Sequence, residues 1–472
     1  MTLIKSISGI RGTIGGRPGE GLSPIDIVKF TYAYCARLRE RRPHPDGARY
    51  KVVVGKDARL SGEMVEQLVC GTLVACGVDV VKAGFASTPT TEMAVVFAGA
   101  DGGIILTASH NPRQWNALKL LNERGEFLTA EQGQVILDCA EAGDFDFAPV
   151  DGLGRITEHD FTGEHLDAVL ALEDVDTEAV RAAGFKVVVD AVNSVGGLIM
   201  PRLLERLGVS CVCLNCEPTG DFAHNPEPLP QNLTALREAV VREGADLGIS
   251  VDPDVDRLAL ICEDGSPFVE ENTLVAVADY LLERAAERGV TPLRTVSNLS
   301  SSRALRDVTE ARGGEYFAAA VGEVNVTTKM HEVGALIGGE GNGGVIYPAI
   351  HCGRDAMVGV ALFLSSLARK GVKVTALKRS LPQYAIVKAR IDLSDPALID
   401  RILSAMKAHY AAERINDIDG VKIDFEASRR WVHLRRSNTE PIIRIYAEAP
   451  TPEEAVALAA EVKALSDSIL QG

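Results

Sequence analysis

The sequence predicts an α/β protein: three related mixed α/β domains with helices packed on sheets, then a fourth, smaller α+β domain. Three observations carry this. One unit, consisting of an apolar strand, a polar turn, a helix, a glycine and a second strand, occurs three times at irregular spacing. Each copy then returns with one more short strand that runs into a conspicuous polar loop, and after about residue 380 the texture changes. At 472 residues the chain also exceeds what one hydrophobic core usually organises.

The first copy begins at Tyr50-Lys51-Val52-Val53-Val54, turns at Gly55-Lys56-Asp57, and runs through a helix near Glu63 to Ala75 into Gly77-Val78-Asp79-Val80-Val81. The second begins at Phe185-Lys186-Val187-Val188-Val189, with a helix near Ile199 to Arg206 and a strand after Gly208; the third, fainter, begins at Leu293-Arg294-Thr295-Val296, with a helix near Arg303 to Ala311. Strands alternating with helices imply parallel sheets between helices. The returning strands lead into TASHNP after Leu106, DPDVDR after Val251 and GEGNGG after Gly338. Ligands of open parallel sheets bind at carboxyl ends of strands, so these three loops are the expected site. The last segment has a strand at Ala385 to Arg390, a helix near Pro396 to Ala412, two strands around Arg435 to Pro441, and a helix near Pro452 to Leu465. Domains are expected at 1–155, 156–265, 266–380 and 381–472.

The hydrophobic fraction of 46% with 24% charged residues is that of an ordinary globular enzyme, and no apolar run approaches the roughly 18 residues of a membrane span. No membrane partner is expected. The N-terminal residues lack the apolar core of a secretory signal, so a cytoplasmic location is expected. A net charge of -16 repels polyanions and argues against nucleic acid, so an anionic ligand needs a local basic pocket. The nine cysteines read as reduced thiols; Cys211, Cys213 and Cys216 include a C-x-x-C spacing but lack the second pair of a structural zinc site.

Asp252, Asp254 and Asp256 stand at alternate positions, so on an extended strand end they would share one face and converge on a hard cation such as magnesium. An EF-hand is the close rival, since Glu263 falls at its twelfth position, but Pro253, Arg257 at position six and the strand-like flanks speak against it. A solvated acidic turn is the bland alternative. Ser109 follows an apolar strand where a turn exposes its oxygen; most such serines are turn or cap residues. The acidic loop raises its standing, as does Lys119, an acid or base if burial lowers its pKa. GEGNGG has the G-x-G-x-x-G spacing of dinucleotide folds, yet a strand stopped by Pro348 follows instead of a helix. Glu340 and Asn342 there suit a polyhydroxylated ligand, with a tight turn as the alternative. Arg435, Ser437, Asn438 and Thr439, with Arg444 on the next strand, make a phosphate anchor or a hairpin turn with solvated arginines.

Taken in order, SGIRG at Ser8 to Gly12, TASHNP, DPDVDR, GEGNGG and RRSNTEP resemble the loop set of the α-D-phosphohexomutase family over almost the whole chain. The resemblance implies four domains around one central cleft, a phosphoserine at Ser109, and magnesium held by Asp252, Asp254, Asp256 and Ser109. It implies help at the phosphoserine from Arg257 and Arg11, sugar hydroxyls gripped by Glu340, and the distal phosphate bound by Arg435, Ser437, Asn438 and Thr439. His110 and Lys119 both remain candidates for the base. GEGNGG with His351 and Gly353-Arg354-Asp355 looks most like the archaeal-type branch of phosphoglucosamine mutases. Gly344 stands where many members have histidine, and Ala320 and Val321 where others place a lysine.

The expected activity is therefore an intramolecular phosphotransfer between hexose 6-phosphate and 1-phosphate, with small hexose phosphates as partners and a hexose 1,6-bisphosphate as intermediate and activator. Glucosamine phosphate is the expected substrate, with a dual phosphoglucomutase and phosphomannomutase as runner-up. A metal-dependent phosphatase would not need the second phosphate anchor, and a non-catalytic sensor would not need Ser109 together with three aspartates.

Overall fold

A computed structural model describes the chain except residues 7, 8, 42, 45–47, 394, 396, 438–441 and 472. It divides into two compact units: 1–273 with 343–377, and 274–342 with 378–472.

The first unit holds two sheets. The strands β1 (Leu3–Ser6), β2 (Gly9–Thr13), β3 (Lys51–Lys56), β4 (Asp79–Phe85), β5 (Gly102–Leu106), β6 (Trp115–Leu121) and β7 (Ile156–Glu158) order as β1-β2-β6-β5-β3-β4-β7. The strands β8 (Lys186–Asp190), β9 (Ser210–Leu214), β10 (Leu247–Val251) and β11 (Leu258–Cys262) order as β11-β10-β8-β9. Pairing is parallel among β5, β3, β4 and β7 and among β10, β8 and β9, as the alternation of strands and helices predicts. Both sheets are mixed, however. β6 returns antiparallel to β5, and β11 antiparallel to β10. The reason is length: TASHNP and DPDVDR are too short for the dozen or so residues of a parallel crossover, so each strand must double back as a hairpin. Both polar loops thus become hairpin loops at the carboxyl end of a parallel strand, with a buried return strand beneath.

β3 and β5 are apolar runs buried on both faces. Valines and isoleucines of these strands pack on Val65, Val69 and Leu73 of the helix Gly62–Ala75 and on Ile27 and Phe30 of the helix Pro24–Arg41. A third helix, Thr88–Phe97, is capped by Ser87, whose hydroxyl accepts from Thr90 N, and has proline in its first turn.

The second unit contains β12 (Arg294–Asn298), β13 (Glu315–Ala319) and β14 (Ile337–Glu340), all parallel, in the order β13-β12-β14. In chain order β15 (Gly344–Ile346) and the helix Ala356–Lys370 follow, again in the first unit. The rest of the second unit is the antiparallel sheet β16 (Ala385–Asp392), β20 (Ile442–Ala449), β19 (Arg430–Arg436), β18 (Val421–Phe425) and β17 (Arg414–Asn416). The helices Leu398–His409 and Pro452–Gln471 cover it through Ile402, Met406, Leu458 and Val462. This is the smaller α+β domain expected after residue 380. Among the described residues no helix is long and apolar enough to cross a membrane.

Candidate active site

Ser109 lies in the β5–β6 loop with φ +50, a left-handed conformation that a residue other than glycine adopts at a cost of about 1–3 kcal/mol. Its surroundings over-determine it. Ser109 N donates to Thr107 Oγ1 at 2.9 Å, and Thr107 Oγ1 donates to Asp57 Oδ2 at 2.6 Å. Asp57 is fully buried and pairs with Arg59 at 3.1 Å. Burial pushes Asp57 up to about 6 against the pull of Arg59 and Thr107. The Arg59 guanidinium donates to the carbonyls of Pro112 and Trp115, each at 2.9 Å, of Asn111 at 2.7 Å, and of Ser109. Arg11 donates to Asn111 Oδ1 at 2.9 Å. One buried arginine therefore gathers the loop's carbonyls and leaves the Ser109 hydroxyl directed elsewhere.

It is directed at the acidic loop. Ser109 Oγ donates to Asp252 Oδ2 at 2.7 Å and lies 3.4 Å from His110 Nδ1. Asp252, Asp254 and Asp256 are fully buried, with one ligand oxygen of each within 4.8 Å of the others. They converge for a reason other than the expected alternation on an extended strand end. β10 stops at Val251, and residues 252–257 form a tight turn in which Asp252 Oδ1 accepts the N–H groups of Asp256 and Arg257, both at 3.2 Å. Val255 takes φ +62, an outlier for a β-branched residue.

The cations are already in place. Lys119 Nζ, on β6, donates to Asp254 Oδ2 at 2.7 Å and lies 3.5 Å from Asp256 Oδ2. Thr88 Oγ1 donates to Asp254 Oδ2 at 2.6 Å, Arg354 to Asp256 Oδ2 at 2.7 Å, and Arg257 Nε is 4.0 Å from Asp252 and 3.9 Å from Asp256. Burial works against ionisation of Asp254, but Lys119 and Thr88 hold its carboxyl below the ordinary range. Asp252 is pushed well up by burial and by its two acidic neighbours. Two oxygens, Asp254 Oδ1 and Asp256 Oδ1, are buried without a hydrogen-bond partner among the described residues. Carboxylate oxygens left in this state suit a hard divalent cation, so the donor set fits magnesium.

One expectation needs correcting. Lys119 as an acid or base required burial to lower its pKa; burial does pull it down, but Asp254 and Asp256 outweigh burial and raise it. His110 is the opposite case, pushed well below its ordinary value by burial and by Arg257, Arg11 and Arg354.

In the second unit Glu340, at the end of β14, accepts from Asn298 Nδ2 at 2.7 Å and Gly322 N at 3.2 Å on one oxygen and from Asn342 Nδ2 at 3.3 Å on the other. Arg435 on β19 stands opposite Arg444 on β20, with its Nε 3.3 Å from Asp419 Oδ2. Ser437 is buried and donates its N–H to Ile442 O at 3.0 Å. Asn438 and Thr439 lie outside the described residues.

Asp57, Arg59, Thr88 and Thr107 were missed in the sequence. The one available signal is position: Gly55-Lys56-Asp57 is the turn of the first repeat, at the carboxyl end of β3, where the other strands carry their polar loops.

Comparison with known proteins decides what this arrangement belongs to. Domain models of phosphoglucomutase/phosphomannomutase match residues 3–147 (α/β/α domain I), 163–265 (domain II), 270–384 (domain III) and 389–465 (C-terminal domain). The chain belongs to the phosphoglucomutase/phosphomannomutase family. It is 35% identical over 450 residues to a phosphoglucomutase/phosphomannomutase of Thermococcus kodakarensis, covering 94% of this chain and 95% of the relative. It is 32% identical to a protein of Methanopyrus kandleri named a probable phosphoglucosamine mutase, covering 95% and 94%. A crystal structure of a family protein from Burkholderia thailandensis superposes with a TM-score of 0.84 at 25% identity, covering 99% of this chain and 98% of that one. At the level of fold alone, with a TM-score of 0.56 and 14% identity over 90% and 84% of the chains, it is similar to N-acetylphosphoglucosamine mutase of Aspergillus fumigatus, a structure in complex with GlcNAc-6P and magnesium. The chain is a phosphohexomutase, an isomerase, and Ser109 and the three aspartates fall inside its domain I and II matches.

Proposed function

We propose that this phosphohexomutase interconverts hexose 6-phosphate and hexose 1-phosphate through phospho-Ser109, with glucosamine 6-phosphate and glucosamine 1-phosphate as its preferred pair. The observation that carries the route is the Ser109 hydroxyl, 2.7 Å from a carboxylate of a buried three-aspartate cluster in which two oxygens have no hydrogen-bond partner among the described residues. Ser109 gives its phosphoryl group to the free hydroxyl of a hexose monophosphate, yielding a 1,6-bisphosphate; the other phosphoryl group then returns to Ser109 and the isomeric monophosphate leaves. The same bisphosphate charges an unphosphorylated Ser109, which makes it the activator.

Asp252, Asp254, Asp256 and the Ser109 side chain would hold Mg2+, which when bound supplies the charge that neutralises a transferring phosphoryl group. Arg257 and Arg11 add donors beside Ser109. The two carboxylates that raise Lys119 are the proposed metal ligands, so sharing their charge lowers its proton affinity and leaves burial dominant. Lys119 and His110 are then both able to accept the hydroxyl proton. Glu340 and Asn342 would take sugar hydroxyls, and Arg435, Ser437, Asn438, Thr439 and Arg444 the phosphate that is not reacting.

The amino-sugar preference rests on charge. Glu340 accepts hydrogen bonds, while Gly344, Ala320 and Val321 remove cationic side chains that would repel a protonated 2-amino group. The relatives' names fit both this reading and a dual phosphoglucomutase and phosphomannomutase. The test is kcat/KM for glucosamine 6-phosphate, glucose 1-phosphate and mannose 1-phosphate under one set of conditions, with phosphorus NMR following the products. Preference for the amino sugar is expected. A preference for mannose 1-phosphate selects the runner-up, and release of inorganic phosphate selects a phosphatase.

A further inference from the structure

A second cluster of metal-ligating side chains lies within the first unit, away from Ser109 and the three aspartates. His165 sits on the helix Thr162–Leu170, Thr90 and Glu92 on the helix Thr88–Phe97, and His351 and Asp355 in the segment before the helix Ala356–Lys370. His165 Nε2 is 2.9 Å, and His351 Nε2 3.2 Å, from the same atom, Asp355 Oδ2. The other ring nitrogens face outward to partners of their own: His165 Nδ1 to Thr90 Oγ1 at 3.0 Å, and His351 Nδ1 to Glu92 Oε2 at 3.2 Å. Asp355 Oδ1 accepts the N–H groups of Met357 at 2.8 Å and Val358 at 3.3 Å, capping its helix, which leaves Oδ2 for the histidines. His165, Asp355 and Glu92 are 0%, 1% and 2% exposed.

Three features separate this from an ordinary buried hydrogen-bond network. The donors of His165, His351 and Asp355 lie within 4.8 Å of one another, and the two measured edges approach the ligand–ligand separation of about 3.3 Å that bonds of about 2.0–2.1 Å impose on a tetrahedral centre. Each imidazole turns one nitrogen inward and has the other fixed by a hydroxyl or carboxylate, the arrangement that sets tautomer and orientation in histidine metal sites. Glu92 is accommodated only because residue 353 has no side chain: a Cβ on Gly353 would come within 1.9 Å of Glu92 Oε2.

We propose that His165, His351 and Asp355 form a second cation site for a zinc-class divalent metal, with Thr90 and Glu92 orienting the two imidazoles. Two imidazoles and one carboxylate suit a borderline cation better than magnesium, which prefers oxygen ligands. A dication there offsets the charges of Asp355 and Glu92 with no protonated histidine. It also ties two segments together directly and, through Thr90 and Glu92, a third, the helix whose first residue, Thr88, donates to Asp254.

The experiment uses the full chain, stripped by chelation and re-equilibrated in excess magnesium to fill the all-oxygen site. Zinc retained after dialysis is counted by elemental mass spectrometry, and cobalt(II) is added as a spectroscopic probe. One zinc per chain is expected, with the intense visible cobalt absorption of a four-coordinate nitrogen-containing site. His165→Gln and His351→Gln should each weaken zinc binding at least ~100-fold. Absence of retained zinc in the unaltered chain, or only the weak absorption of a six-coordinate oxygen site, overturns the proposal, and these two readings do not depend on any variant folding. Retention unchanged in both histidine variants overturns it as well.

Discussion

The two compact units handle charge differently. In the first, Ser109 and the three aspartates assigned to phosphoryl transfer are buried and set among cations. Three fully buried aspartates meet Lys119, Arg354, Arg257 and Thr88, and the Ser109 loop is held by Arg59, Arg11 and Asp57. In the second, the two arginines assigned to the substrate phosphate are more open: the Arg435 side chain is 15% exposed, 3.3 Å from one carboxylate, and Arg444 faces solvent, whereas Glu340 is buried and accepts from three donors. Transition-state charge is stabilised best by groups that need not reorganise, so a transfer site is built rigid. A group that grips whichever end of a sugar arrives must stay accessible.

The comparison breaks most directly at Ser109. Ser109→Ala should lower kcat by about 10^4-fold, roughly 5.5 kcal/mol of transition-state stabilisation, and should remove the phosphate from this residue in intact-mass and peptide mapping. Full activity of the variant with magnesium and a bisphosphate present would end the phosphoserine route.

Asp254→Asn should damage both turnover and stability, because it removes a proposed metal ligand and also a carboxylate paired with buried Lys119. Loss of one partner of a buried pair costs about 3–5 kcal/mol. Urea unfolding beside kinetics in a magnesium titration measures both. Unchanged turnover after exhaustive chelation of the native enzyme would remove the metal from the reaction.

The second unit also holds a fully buried acid. Glu448 accepts from Trp431 Nε1 at 2.6 Å and Arg303 N at 3.0 Å, and burial raises it from 4.5 to about 7 despite those bonds. A carboxyl raised on folding binds more protons in the native state. Its contribution is therefore fully present below about pH 4.5 and is lost as pH rises through about 7, a change on the order of 3 kcal/mol. Glu448→Gln should flatten that decline. Urea denaturation at several pH values, followed by Trp431 fluorescence in a Trp115→Phe background, checks it; an unchanged slope would place the sensitivity elsewhere.

Arg435→Lys should have the smallest effect, about 1–3 kcal/mol in kcat/KM, because lysine keeps the charge but loses the bidentate fork. The loss should fall equally on glucosamine, glucose and mannose phosphates. A loss confined to one sugar would make Arg435 a sugar reader and blur the contrast between the units.

The repeated strands, their helices and the serine and aspartate loops were legible in the sequence because they are written locally, in short apolar runs such as Val52-Val53-Val54 and Val187-Val188-Val189 ended by glycine or polar turns. Chemistry-bearing residue types in a short loop need no third dimension to be noticed. What tertiary structure decided is how those loops are held. Asp57 reaches Thr107 across 50 residues, and Ser109 reaches Asp252 across 143. Lys119 lies opposite Ile105 through the β5–β6 register, which brings it to Asp254 135 residues away. The antiparallel return of β6 and β11 follows from loop length and could be argued from the chain; the pairing of two separate sheets' loops could not. The sign of the Lys119 shift turned on the same point, since burial and two carboxylates from another sheet act in opposite directions and only their distances say which prevails.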